Sequence, residues 1–409
     1  MLVIISLLYT STTISNLAMM SIDEKILNEE FAAILLTSKK TSYTAGHSYA
    51  FSGIEHTISG LNFAELRTNL KKSGNWVGYF GYDMKNDIEN LSEDEDLFIQ
   101  TPKSWFGQFT EKRLLSENNF APSNYRVPDI AYVKSNMSKA EYLADVGKIR
   151  EYIARGDIYQ ANLTRKFYGE FAEEIRPLEI FKHLNAISPA PYSAFLKIRD
   201  MYIISTSPEL FIRVDENGEA VTCPIKGSAA KGNSAELSES KKDISENLMI
   251  TDLMRNDFSK SCKPGSVKVK DLFEVSEFQT IAHMFSTVTG QLKPGESGFD
   301  LIKNCFPPGS MTGAPKIRAM QICSELERHK RGIYSGVLGY FAPHGDNGIS
   351  PCEFSVVIRT LIIKGNKFEF QVGGGITYDS DPEKEWAETM MKAKPIADAL
   401  GVYAEVERL

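Results

Sequence analysis

Apolar residues recur at two periods along this chain, and the switches between the periods outline its elements. From Ser138 the spacing is helical: Tyr142, Val146, Ile149 and Ile153 fall 4, 3 and 4 apart, one face of an amphipathic helix. Ser138 and Glu141 form a capping box at its start, and Gly156 closes it. A second stripe, Trp386, Met390, Ala393, Ala397 and Leu400, follows a start signalled by Ser380, Asp381, Pro382 and Glu383. Pro395 is expected to kink that helix. Further helical stretches are read at 238–257, 298–303 and 314–328.

Elsewhere the runs are short, alternating or wholly apolar, which is strand patterning. YSAFLKI and MYIISTS come first, then FIRV and EAVTCPI around a turn at Asp215 to Gly218. That turn predicts a hairpin with Glu209 and Lys226 on its two arms. GIYSGVLGYFAP, EFSVVIRTLIIKG and KFEFQVGGGI supply later strands. Residues 20–130 hold apolar runs broken by Gly and Asn, an acidic patch, NDIENLSEDEDL, and a linker near Ala121 to Asp129. They read as a β-rich first module, ahead of a larger domain at 135–405. Strands in antiparallel pairs with helices interspersed, and no βαβ rhythm, make the class α+β.

Met1 to Ile22 is uncharged and opens with LVIISLL, but Tyr9, Thr10 and Ser11 end the run far short of the roughly 20 residues a membrane helix needs. It also lacks the basic start of a signal peptide. Residues 1–19 are therefore read as a mis-assigned start upstream of Met19 or Met20, or as an apolar extension or buried first strand.

Composition narrows the chemistry. With 46 Lys plus Arg against 53 Asp plus Glu, the net charge of -7 does not supply the basic surface that nucleic acid requires. The five cysteines form no CxxC pair, so neither a disulfide framework nor a zinc ribbon is expected, and a cytoplasmic location is. No HExxH occurs among the six histidines, so a metal would have to sit on carboxylates. GSMTGAPK at 309–316 lacks the span and ending of a phosphate loop. GGG at 373–375 follows a strand, where amides free of Cβ can approach an anion closely, although a bulge or turn would use the same residues.

Taken together, SPELF (207–211), PIKGS (224–228), ENLMITDLMRND (246–257), AHMFSTVTG (282–290), FPPGSMTGAPKIRAM (306–320), RGIYSGVLGYF (331–341), SVVIRTL (355–361) and VGGGITYDSDPEKEWAET (372–389) resemble the chorismate-utilising enzymes. The resemblance runs over about 135–400, with the segments in the family's order. It implies an anthranilate synthase component I-like fold: two large antiparallel sheets packed together, flanked by helices, with the active site in a cleft between them.

Within the family, Lys226 and Gln160 resemble the branch that aminates chorismate at C4. Anthranilate-forming members usually carry alanine at the first position, and water-adding members a lysine base at the second. Glutamine cannot act as that base. The resemblance further implies Mg²⁺ on Glu246 and Glu388, and Glu209 as the acid or base at C4. It implies His283 near the departing hydroxyl, and substrate contacts from Ser310, Lys316, Tyr334, Arg359 and the amides of Gly373, Gly374 and Gly375.

The residues agree in part with those roles. Arg359 in an apolar strand must have an anionic partner, either a ligand or a structural carboxylate. Glu388 lies roughly 200° around the helix from Trp386, off the apolar stripe. No glutaminase signature is present, so a separate glutamine amidotransferase subunit is expected to supply ammonia. Anthranilate formation is the alternative within the enzymes, and a non-catalytic chorismate or aromatic amino acid binding paralogue the alternative outside them.

Overall fold

The computed structural model describes residues 22–38, 46–70, 73–89, 91, 98–115, 125–230, 232, 234–277, 281–344 and 350–409. Residues 1–19, most of the acidic patch and the first part of the expected linker lie outside them.

Four strands come from the first module: β1 (Phe31–Leu36), β2 (Tyr49–Ser59), β3 (Asn75–Phe80) and β4 (Ser104–Leu114). β5 (Ile130–Ser135), β6 (Gln160–Phe171), β7 (Tyr192–Ile198), β8 (Met201–Ser207) and β9 (Leu210–Val214) follow. Next come β10 (Glu219–Cys223), β11 (Ile225–Ala230), β12 (Lys268–Glu277), β13 (Ile281–Gln291) and the two-residue β14 (Gly313–Ala314). β15 (Val337–Phe341), β16 (Cys352–Val356), β17 (Thr360–Lys364) and β18 (Lys367–Ile376) complete the set.

These strands form one hydrogen-bonded ribbon, antiparallel throughout. From one end its order is β5, β6, β18, β17, β8, β7, β1, β2, β4, β3, β15, β16, β9, β10, β13, β12. β11 continues β10 along β13 after a register shift. The first module's strands thus sit in the middle of the ribbon, between β7 and β15.

The two packed sheets implied by the resemblance are the two halves of this ribbon. Between them lies a core that includes Phe31, Val77, Trp105, Leu196, Leu338 and Ile362.

Helices cover the outer faces: α1 (Phe63–Asn69), α2 (Lys139–Ala154), α3 (Pro177–Ile187), α4 (Lys241–Ser261), α5 (Gly298–Cys305), α6 (Gly309–Thr312), α7 (Lys316–Glu327) and α8 (Pro382–Ala399). α2, α3, α7 and α8 bury Val146, Phe181, Ile322 and Ala393 on the half holding β6 and β18. α1, α4 and α5 bury Phe63, Met254 and Leu301 on the half holding β3 and β16.

α2 begins with the expected capping box, Ser138 with Glu141. α8 starts one residue later than the sequence suggests: Asp381 caps it through Lys384 N, while the Ser380 hydroxyl is used by Glu385 at 2.7 Å. Pro395 lies within α8. All five cysteines are buried and free. Among the described residues, no helix is long and apolar enough to cross a membrane.

Candidate active site

One cleft gathers ten of the twelve predicted site residues: Glu209, Lys226, Glu246, His283, Ser310, Tyr334, Arg359, Gly373, Gly375 and Glu388. Its walls come from the two ends of the ribbon. β6 and β18 supply Asn162, Gly373 and Gly375, and β11 and β13 supply Lys226 and His283. α4 and α8 bring Glu246 and Glu388. The hairpin that the sequence predicts is present, with β9 and β10 paired antiparallel as far as Leu210 and Cys223, but the two residues lie just beyond its arms: Glu209 precedes β9, and Lys226 is on β11, which pairs with β13.

Lys226 reaches across to β18. A methyl group on Gly375 would stand 2.8 Å from Lys226 Nζ and 3.3 Å from Glu246 Oε2, so glycine at 375 is what leaves the ammonium its place. The Lys226 charge bears on Glu209, Glu246 and Glu388 alike.

Burial dominates these carboxyls. It pushes Glu209 up to about 7 against the opposing pull of the Ser310 hydroxyl and Lys226. It also lifts Glu246 to about 7, although Lys226 and Lys242 pull it down. Glu388 is desolvated too, but Lys392, 2.6 Å away, holds it below the usual carboxylate range.

Arg359 does not lie inside a strand. The run SVVIRTLII breaks at 357–359 into β16 and β17, which pair with different partners in opposite halves of the ribbon. Arg359 sits at the break with φ 49°, a left-handed conformation uncommon outside glycine and frequent at functional sites. Its carbonyl accepts from Thr206 N at 3.1 Å. Burial lowers its pKa to about 10, and among the described residues no carboxylate acts on it. Its guanidinium hydrogen-bonds His283 Nε2 at 3.1 Å.

Two predicted residues are elsewhere. The Lys316 ammonium is spent on Asp257 Oδ2 at 2.7 Å and on the carbonyls of Cys305 at 2.8 Å and Pro307 at 3.0 Å. It holds the start of α7 rather than a substrate. Gly374 faces away from the cleft, toward Glu385 and Tyr142, because alternate residues of a strand face opposite sides.

Sequence reasoning missed Asn162, Lys242 and Lys392. The two lysines stand four residues from Glu246 and Glu388, so helical pairing could have signalled both. Lys392 also donates to the Gly373 carbonyl at 2.9 Å.

Glu246 and Glu388 offer hard oxygen donors, and the buried Glu246 Oε1, 3.8 Å from Lys242 Nζ, accepts no hydrogen bond among the described residues. That donor set fits a divalent cation of the Mg²⁺ type. Among the described residues no third acidic, histidine or cysteine side chain joins them as a ligand cluster, so the remaining positions would fall to water or substrate oxygens.

Known proteins share this architecture. A solved anthranilate synthase component I from Streptococcus pneumoniae TIGR4 superposes with TM-score 0.75 at 27% identity, covering 88% of this chain and 93% of that one. Aminodeoxychorismate synthase component 1 of Escherichia coli (strain K12) is 36% identical over 373 residues, 83% of this chain and 81% of that protein. Anthranilate synthase component 1 of Aquifex aeolicus is 37% identical over 286 residues, 68% of this chain and 56% of that protein's length. A family model described as chorismate binding enzyme matches residues 23–398, and the chain belongs to that family.

Proposed function

We propose that the chain aminates chorismate at C4 with ammonia, giving 4-amino-4-deoxychorismate, as a component I of the aminodeoxychorismate synthase type. The observation that carries this reading is Lys226, an amine set in the cleft among Glu209, Glu246 and Glu388. Arg359, on which no carboxylate acts among the described residues, is a cation suited to one carboxylate of a dicarboxylate substrate.

The neutral Lys226 amine attacks C2 of the ring. The double bonds shift, and the C4 hydroxyl leaves as water with a proton from Glu209. Ammonia then adds at C4, the C2–N bond breaks and returns neutral Lys226, and the new ammonium gives a proton back to Glu209. Two allylic displacements replace one difficult substitution. Glu209, with its pKa near 7, is matched to both proton transfers. Mg²⁺ bound by Glu246 and Glu388 would neutralise a substrate carboxylate. Ammonia would come from a separate glutamine amidotransferase subunit.

Anthranilate formation is the second reading, favoured by relatives of that activity at comparable identity. Incubating the purified chain with chorismate, Mg²⁺ and ammonium chloride separates the two. Aminodeoxychorismate without pyruvate is the expected product; anthranilate with stoichiometric pyruvate would overturn the proposal.

A further inference from the structure

Lys242 stands between the two helices that carry Glu246 and Glu388. It lies one turn before Glu246 on α4 and lines the cleft. Its Nζ is 3.0 Å from Glu385 Oε1 on α8 and 3.8 Å from Glu246 Oε1. Among the described residues, Lys242 with Glu385 is the one ion pair that joins α4 to α8. Burial opposes a charge there, yet Glu385, Glu246 and Glu388 together outweigh it and hold the Lys242 pKa above its ordinary value. Lys242 is thus a cation in the field of the same two glutamates that fit Mg²⁺.

Glu385 is fixed in place. It is 1% exposed, and its Oε1 also accepts from the Ser380 hydroxyl at 2.7 Å. That hydroxyl in turn accepts from Thr377 N at 3.0 Å. The Lys242 side chain, by contrast, is 41% exposed, so its charge can be removed without opening the core.

We infer that Lys242 is the resident counter-cation of this site and sets its affinity for Mg²⁺, by cancelling Glu385 and sharing Glu246. The inference rests on the cation site read above. Two cations drawn to one carboxylate repel each other, so the ammonium weakens the hold of Glu246 and Glu388 on a divalent ion. The negative charge that offsets Lys242 then arrives with the dianionic substrate. By linkage, cation and substrate each tighten the binding of the other.

Calorimetric titration of Mg²⁺ into the full chain, without chorismate, tests this independently of turnover. Lys242→Gln removes a positive charge and uncovers a negative one, so its Mg²⁺ dissociation constant should fall about tenfold, solvent screening keeping the effect to that size. Glu385→Gln removes the negative charge, leaves Lys242 to Glu246 and should raise the constant several-fold. The double variant restores the charge balance and should bind within about threefold of wild type. Lys242→Arg, which keeps the charge, should do the same. A lysine that merely braced α4 against α8 would give another signature: both single neutralising variants would loosen the site and weaken binding.

A constant for Lys242→Gln that is unchanged or higher, with wild type binding Mg²⁺, would overturn the inference and leave the cation site standing. Equal tightening in Lys242→Arg and Lys242→Gln would also overturn it, because the charge would then not be the cause. No Mg²⁺ uptake by wild type or by Lys242→Gln would remove the cation site, and the inference with it.

Discussion

Arg359 Nη2 donates to His283 Nε2 across 3.1 Å, so the buried guanidinium is held by a neutral ring instead of an acid. The His283 pKa lies well below its ordinary value, through burial first and then the neighbouring Arg359. The ring is therefore held neutral and able to accept from Arg359.

Removing the planar fork while keeping the charge, in Arg359→Lys, should raise half-saturating chorismate about 100-fold, equivalent to about 3 kcal/mol. His283→Gln, which can still accept a hydrogen bond, should cost about tenfold or less. Titration of chorismate consumption checks both, and Arg359→Lys with wild-type saturation would remove the anion site.

Glu209 yields a pH dependence of known sign. Its folded-state pKa near 7 lies above the ordinary 4.5, so the folded carboxyl keeps its proton where an unfolded one releases it. The stability of the folded chain, as far as this group sets it, is full below about 4.5 and declines as pH rises to about 7, by about 1.4 kcal/mol per unit. Glu209→Gln should accordingly melt above wild type at pH 8 and level with it at pH 4.5. At constant free ammonia, chorismate consumption by wild type should fall as pH rises above about 7, as the acid loses its proton. The same variant should show no such limb and a rate about 10³-fold lower.

How far the sequence reveals this site depends on which interactions are local. The α2 capping box and the Trp386 to Leu400 stripe lie within single elements, and each is where its spacing puts it. The break at Arg359 was not legible, because its flanks are mostly apolar and β-branched and only the pairing of β16 and β17 with different neighbours splits the run. Lys316 misled for the same reason in reverse: Asp257, 59 residues away, claims its charge, and nothing near it in the chain says so. Lys242 and Lys392 were in plain view at helical spacing from the two glutamates.

Lys316→Met should therefore act on stability and not on the substrate. Asp257 is 2% exposed at its side chain, and removing one of its partners should cost about 3 kcal/mol. Chemical denaturation measures the loss, and half-saturation by chorismate should stay at the wild-type value. A large rise in that value would return Lys316 to the site.

For the cation, Glu246→Gln and Glu388→Gln should each raise the half-saturating Mg²⁺ concentration at least tenfold while leaving far-ultraviolet circular dichroism unchanged. Each should also abolish the increase in melting temperature that Mg²⁺ gives to wild type. Unaltered metal dependence in both variants would refute the pair as ligands.

Lys226→Arg and Lys226→Ala should both lose aminodeoxychorismate formation, because arginine keeps a cation but cannot supply a neutral amine. Wild type incubated with chorismate and no ammonia should show an adduct by intact mass that both variants lack. Substantial product from Lys226→Arg would show that the lysine acts only as a charge.

The path of hydrogen bonds that joins Lys226 to Gly375 along the sheet traverses nearly every strand, from β11 on β13 back through the first module's strands to β18, yet Lys226 Nζ comes within 2.8 Å of where a Gly375 methyl would stand. Small rotations between strands add along that path, and they add up at the cleft. A dianion spanning Arg359 and a cation held by the α4–α8 carboxylate pair would tie the ends together. Binding should thus slow amide exchange far from the ligand, in β1 and β2 at the middle of the ribbon, as directly as in the strands it touches.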